Sequence, residues 1–244
     1  MFVFGSGVLI GTPAGGSPIN FGLVQEVTLN VAVTTKALYG QYNFPVAIGA
    51  GTKKMTGKAK MARVSGQALG SLFFGLPPIA GVTQTQFGET TTVPSASPYT
   101  YTTTNHTTFV ADQGVVYASS SLPLKQVASP TAAGQYSVSA GVYTFYSGDA
   151  GQQVLISYTY QVAGSGESIA VASQLIGPSI VFSANLFASD PDTGKQFSVL
   201  LYNCVAEKLA FGTKLEDFLL PELDFQCFAN AAGQVCQFNF GDAA

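Results

Sequence analysis

The stretch Phe21–Gly75, FGLVQEVTLNVAVTTKALYGQYNFPVAIGAGTKKMTGKAKMARVSGQALGSLFFG, decides how the chain is read. It opens with alternation. In residues 23–33, Leu23, Gln25, Val27, Leu29, Val31 and Val33 fall on one side of an extended chain, and Val24, Glu26, Thr28 and Asn30 on the other. That is the period-two pattern of a half-buried strand. Residues 43–63 predict a hairpin with a long loop. Phe44–Ile48 forms one arm and Lys54–Val64 the other, with Gly49, Gly51 and Gly57 as breakers. Lys58 and Lys60, two residues apart, share a face of the second arm. A short helix closes the stretch. Ser65 is a good N-cap, Ala68/Leu72 and Leu69/Phe73 make an apolar stripe at a spacing of four, Gly75 stands at C′, and Pro77-Pro78 forbid continuation. Gly66 and Gly70 each cost about 1 kcal/mol relative to Ala, so this helix needs a sheet to pack against.

Charge is distributed unevenly around this stretch. Lys36, Lys53, Lys54, Lys58, Lys60 and Arg63 are six of the chain's ten basic residues, and no acid occurs from Val27 to Gly75. Acids gather late: Asp190, Asp192, Glu207, Glu216, Asp217, Glu222, Asp224 and Asp242. Two readings stand side by side. Lys53, Lys54, Lys58 and Lys60 form either a solvated edge that blocks aggregation, or a surface that meets the acidic region of a neighbouring copy. The second reading makes Tyr39, Phe44, the four lysines, Asp190, Asp192, Glu216, Asp217, Glu222 and Asp224 candidate inter-subunit residues. Only 9% of the 244 residues are charged, against a usual value of about 25%, which points to a surface covered by partners. The net charge of −3 argues against a sequence-specific nucleic-acid binder.

The remaining chain reads as turns and strands. Residues 1–20, rich in Gly and Pro, predict an extended arm. Their apolar run has no basic residue before it, and no stretch approaches a membrane-spanning length, so an intracellular product is expected. Residues 81–108, rich in Thr and Ser, predict exposed strand and loop. Strands follow at 114–117, 135–138, 141–146 and 153–162, as a meander between 134 and 160. The last is clean, with Val154, Ile156, Tyr158, Tyr160 and Val162 on one face. Residues 76–164 form either an inserted small β-domain or a set of long hairpins. Beyond them, 168–176, 180–187, 195–211 and 224–228 have strand character, and SDPDTGK at 189–195 is a hairpin turn. Cys204, Cys227 and Cys236 lack metal spacing and are expected as core thiols, with a disulfide between two of them left open.

Catalytic chemistry finds little support. His106 is the single histidine and lies in a polar run without a visible nucleophile or orienting acid. GSGVLIG at 5–11 lacks the spacing and the lysine of a phosphate loop. Glu216 and Asp217 could serve as paired carboxylates, but neighbours in an extended chain point apart, which favours solvated or interface charge. Asn105-His106-Thr107 is a glycosylation triplet without a secretory route. No cofactor or metal is expected.

Three segments resemble the tail tube (major tail) proteins of tailed bacteriophages. In 21–75 the shared features are a strand ahead of K-x-L-Y-G (Lys36, Leu38, Tyr39, Gly40), a Pro-containing loop, a T-G-K-A-K strand (Thr56–Lys60) and a short helix. GQYSVSAGVYTFYSGDAGQQVLISYTY (134–160) and LLYNCVAEKLAFGTKLEDFLLPELDFQCFANAAGQV (200–235) are similar to virion proteins of this type. The resemblance implies a mainly β fold, a β-sandwich or barrel over 21–75 and 165–244 flanked by one helix, with 76–164 as an additional β-rich segment. It implies hexameric rings stacked into a DNA conduit, and a loop of about 41–57 reaching the adjacent ring. The implied partners are other copies, a tape measure protein and terminator or baseplate proteins. DNA passes only as cargo and no membrane is involved. The implied location is the virion tail, assembled in the host cytoplasm. The rival expectations are a head decoration or coat protein and, further off, a surface adhesin.

Overall fold

A computed structural model describes residues 5, 7–63, 65–173, 176, 179–213 and 215–241. In chain order its strands are β1 (Val8–Pro13), β2 (Ile19–Asn20), β3 (Val24–Tyr39), β4 (Pro45–Met61), β5 (Ile79–Thr92), β6 (Thr100–Thr102), β7 (Phe109–Tyr117), β8 (Lys125–Gln126), β9 (Gln135–Ser139), β10 (Val142–Phe145), β11 (Gln153–Ser168), β12 (Val181–Ser189), β13 (Gln196–Ala210), β14 (Glu222–Phe228) and β15 (Cys236–Phe240). The fold is mainly β. The chain divides into two compact units: residues up to Pro78 together with those from Ile169 onward, and Ile79–Ser168.

The first unit is one antiparallel sheet in the order β2-β1-β12-β13-β14-β4-β3, with β15 also paired to β13. Its inner face carries Leu9, Ala59, Met61, Phe182, Leu201, Leu223 and Phe225, joined in the core by Phe21 from the loop after β2. The helix expected after Ser65 covers this face. Gly66–Ala68 (α1) runs into a π-helical turn over Leu69–Phe74. Ala68 N–H donates to Ser65 Oγ at 3.3 Å, and Gly75 closes the helix at φ +67°. Ala68 and Leu72 are buried against the sheet, which supplies the packing that the helix glycines make necessary.

Several expectations change here. Residues 8–13 are not an arm: β1 pairs with β12 along its whole length and Leu9 is fully buried. Residues 1–4 and 6 lie outside the described residues. In β3 the alternation shows only at Val27 and Leu29, which pack on the core while Val31 and Val33 are exposed, and a bulge at Gln25 flips its start. Val24 faces the core and Leu23 is exposed. The hairpin expected within 43–63 does not form. Pro45–Met61 is one strand, and its hairpin partner is β3. Gly57 does not break it, because a Cβ there would lie 2.1 Å from Cζ of Phe225, so a side chain has no room. Val64, at the end of the expected second arm, is outside the described residues. Residues 169–173 carry no strand, 174 and 175 are not described, and β15 was not anticipated.

The second unit packs two sheets face to face, β6-β10-β9-β8 and β5-β11-β7. The expected meander is split. β9 and β10 pair as a hairpin, while β11 joins β5 and β7 in the other sheet. Val154, Ile156 and Tyr158 of β11 are fully buried, as its alternation predicts, and meet Tyr136, Tyr143 and Phe145 from the facing sheet. Three carboxylates tie this core to its phenols. Asp112 accepts from Tyr136 and, at 2.6 Å, from Tyr143. Glu89 accepts from Tyr158, from Tyr101 at 2.7 Å, and from the amide and hydroxyl of Thr104. Buried Asp149 accepts from Tyr117 at 2.6 Å and from the Gly134 amide.

Candidate inter-subunit surface

β3 and β4 are longer than the sheet that holds them. β14 pairs with β4 only from Lys60 to Met55. Beyond Met55, the two strands pair only with each other among the described residues, from Val31↔Met55 out to Tyr39↔Pro45. The result is a two-stranded ribbon closed by a turn at 40–44. A bulge on β4 around Gly51 is pinned by Thr34 Oγ1 donating to the Thr52 carbonyl at 3.2 Å.

No residue of this ribbon from 31 to 54 is buried. Many of its side chains are nevertheless apolar: Val31, Val33, Leu38, Tyr39, Tyr42, Phe44, Val46 and Ile48 are all exposed, Tyr42 to 72% and Phe44 to 82%. A lone two-stranded ribbon is marginally stable in water, and a large contiguous exposed apolar patch marks a contact surface. Burying four of these side chains in a partner offers about 6–12 kcal/mol before ordering costs. β3 also forms the edge of the sheet. Its 16 residues contain two charges, Glu26 and Lys36, and no proline, and its bulge at Gln25 lies at the sheet-embedded end, so the edge along the ribbon is weakly guarded.

The charged residues behave differently from expectation. Lys58 Nζ lies 2.6 Å from Glu222, Lys60 lies 2.8 Å from Glu26, and Lys54 lies 3.6 Å from Glu207. These contacts lie within one chain, because antiparallel register sets Glu222 opposite Lys60 and Lys60 opposite Glu26 on the outward face. The Lys58 hydrogen bond holds Glu222 below its ordinary pKa, the Lys60 hydrogen bond does the same for Glu26, and Lys58 is raised by Glu222. Asp224 stands in register between Lys58 and Lys208. Of the residues expected to meet between copies, Lys58 and Lys60 therefore meet Glu222 inside one copy. Lys36 and Lys53 make no ion pair among the described residues, so the ribbon keeps uncompensated positive charge.

The other expected positions separate. Asp190 is buried and staples the β12–β13 turn by accepting from the Asp192 amide at 3.0 Å and the Thr193 amide at 3.3 Å, while Asp192 stays exposed. This is a folding role, since the Asx turn needs an acceptor at that position. Glu216 and Asp217 lie in an exposed segment between β13 and β14. Asp217 accepts from the Phe218 amide at 2.9 Å, and Glu216 has φ +62°. That segment also exposes Leu215 to 93% and Phe218 to 87%. Tyr39 and Phe44 lie at the outer end of the ribbon. Sequence reasoning missed Leu38, Tyr42, Val46 and Ile48 beside them. Their signal was present: in ALYGQYNFPVAI, residues 37–48, apolar residues no longer keep to one side and no charge intervenes.

Among the described residues no group of three or more His, Cys, Asp and Glu is placed to hold a metal ion. His106 Nδ1 lies 3.1 Å from the Thr103 carbonyl in a local turn. No helix among the described residues is long and apolar enough to cross a membrane. No protein-family model matches the chain, and no curated protein matches it.

Proposed function

We propose that this chain is a structural subunit that assembles with copies of itself, and specifically that it is a tail tube protein whose stacked rings form the DNA conduit of a phage tail. The observation that carries the reading is the ribbon from Val31 to Lys54: a paired, apolar, core-less projection that has no use in an isolated monomer. The open edge of β3 and the charge-poor surface support it further. The edge offers main-chain hydrogen bonds to a neighbouring strand, and the ribbon offers apolar area to a copy beyond. The resemblance of 21–75 to tail tube proteins names the assembly, and a ribbon reaching the next ring is the role that resemblance gives this region. The reaching element is longer than the loop 41–57 suggests, since most of it is strand.

Sedimentation velocity on two chains tests the proposal. One is the full chain. In the other, 32–54 is replaced by a two-residue Asn-Gly turn between the register partners Val31 and Met55, which keeps the sheet-embedded part of β3 and β4. The proposal expects large species for the first and a folded monomer for the second. Monomers of the full chain at every concentration, or large species of both, would overturn it.

A further inference from the structure

Cys204 on β13 and Cys227 on β14 are direct register partners on adjacent antiparallel strands. Their sulfurs lie 3.6 Å apart, both inside the core, and both are free thiols. Directly opposed residues of an antiparallel pair have Cα atoms about 4.5–5.5 Å apart, inside the range a disulfide spans. The sulfurs therefore need side-chain rotation, not backbone movement, to bond. Cys236, half-buried on β15, packs on the same core near Cys227, but its register partner is Leu201 and not a cysteine. The geometry points to Cys204 and Cys227 as an oxidation site that takes a low-molecular-weight disulfide and becomes a cross-strand staple.

The chemistry balances as two exchanges. The Cys227 thiolate attacks one sulfur of the small disulfide, its S–S bond breaks, and one thiolate leaves. Cys204 then loses its proton and attacks Cys227 Sγ. The Cys204–Cys227 bond forms and the second small thiolate leaves. Two electrons pass to the small disulfide, and the two protons lost from the protein thiols end on two small thiols. The order of attack follows exposure: Cys204 is fully buried, whereas Cys227 keeps 6% of its surface accessible and is the sulfur that a small disulfide reaches first. Thiols stay reduced in a reducing compartment, so the staple forms when the protein passes to an oxidising one. It clamps β13 to β14 and closes the loop that carries the exposed Leu215 and Phe218.

The full chain is incubated with oxidised glutathione, quenched in acid, denatured, alkylated and mapped by mass spectrometry. The expected result is a cross-linked peptide joining Cys204 to Cys227, with Cys236 alone alkylated. The thermal midpoint should rise by about 5–10 °C over the reduced chain. Cys236→Ser should leave link and shift intact, and Cys227→Ala should abolish both. Alkylation of all three thiols after prolonged incubation, a persistent glutathione adduct, or a link that includes Cys236 would each overturn the inference. None of these readouts depends on whether the chain forms tubes.

Discussion

At residue 57 the main chain of β4 passes directly under the ring of Phe225, and a side chain there would collide with it. Gly57→Val should therefore destabilise the first unit by about 1–3 kcal/mol, read from urea unfolding, as an overpacked core does. An unchanged midpoint would mean that the ring has another place to go. In the second unit the decisive residues are carboxylates. Asp112→Asn replaces the ion that two buried phenols share, and should cost about 1–3 kcal/mol. The phenols also give this unit a defined response to base. Burial, then the partner carboxylate, push Tyr101 (Glu89) and Tyr117 (Asp149) up to about 12. A raised folded-state pKa means stability that is complete below the unfolded value of about 10 and lost as pH rises through about 12. Tyrosinate absorbance and circular dichroism should change together across that window. Acid acts through Glu89. Burial alone would raise its pKa, but hydrogen bonds from Tyr158, Tyr101 and Thr104 outweigh it and leave the pKa lowered. Its contribution is present above about 4.3 and falls away as pH drops through the folded value, so Glu89→Gln should blunt the acid sensitivity.

Among the elements, the ribbon of β3 and β4 separates assembly from folding. Tyr42→Asp with Ile48→Asp alters side chains that touch no core. Monomer stability should stay within about 0.5 kcal/mol while large assemblies disappear from sedimentation profiles. Lys58→Glu with Lys60→Glu should behave oppositely, weakening the fold of one copy by setting like charges against Glu222 and Glu26. What was legible in the sequence at this scale was local. Ser65 and Gly75 bound the helix by their own chemistry, β11 announced itself by alternation, and Asp190 marked its turn. What was not legible depended on distant partners. Gly57 looks like a breaker until Phe225 is above it, and Gln25 gives no hint of the bulge that turns Val24 inward. Residues 8–13 look like a loose arm until β12 is alongside. For the candidate surface, the sequence pointed to the exposed ribbon residues Tyr39 and Phe44, while Lys58, Lys60 and Glu222, assigned there to two copies, pair within one.

For the whole molecule, the division into two units makes its own prediction. Ile79 and Ser168, the ends of the second unit, are register partners on β5 and β11, so that unit begins and ends at one place. Expressed alone, Ile79–Ser168 should fold cooperatively and keep the alkaline transition of its phenols; an unfolded product would show that its core is insufficient. At this scale we propose that the chain assembles into a tube. Negative-stain electron microscopy of the purified full chain over a range of concentrations tests it most directly. Hollow tubes or stacked rings with a central channel are the predicted result. A field of small, uniform particles at every concentration would contradict it.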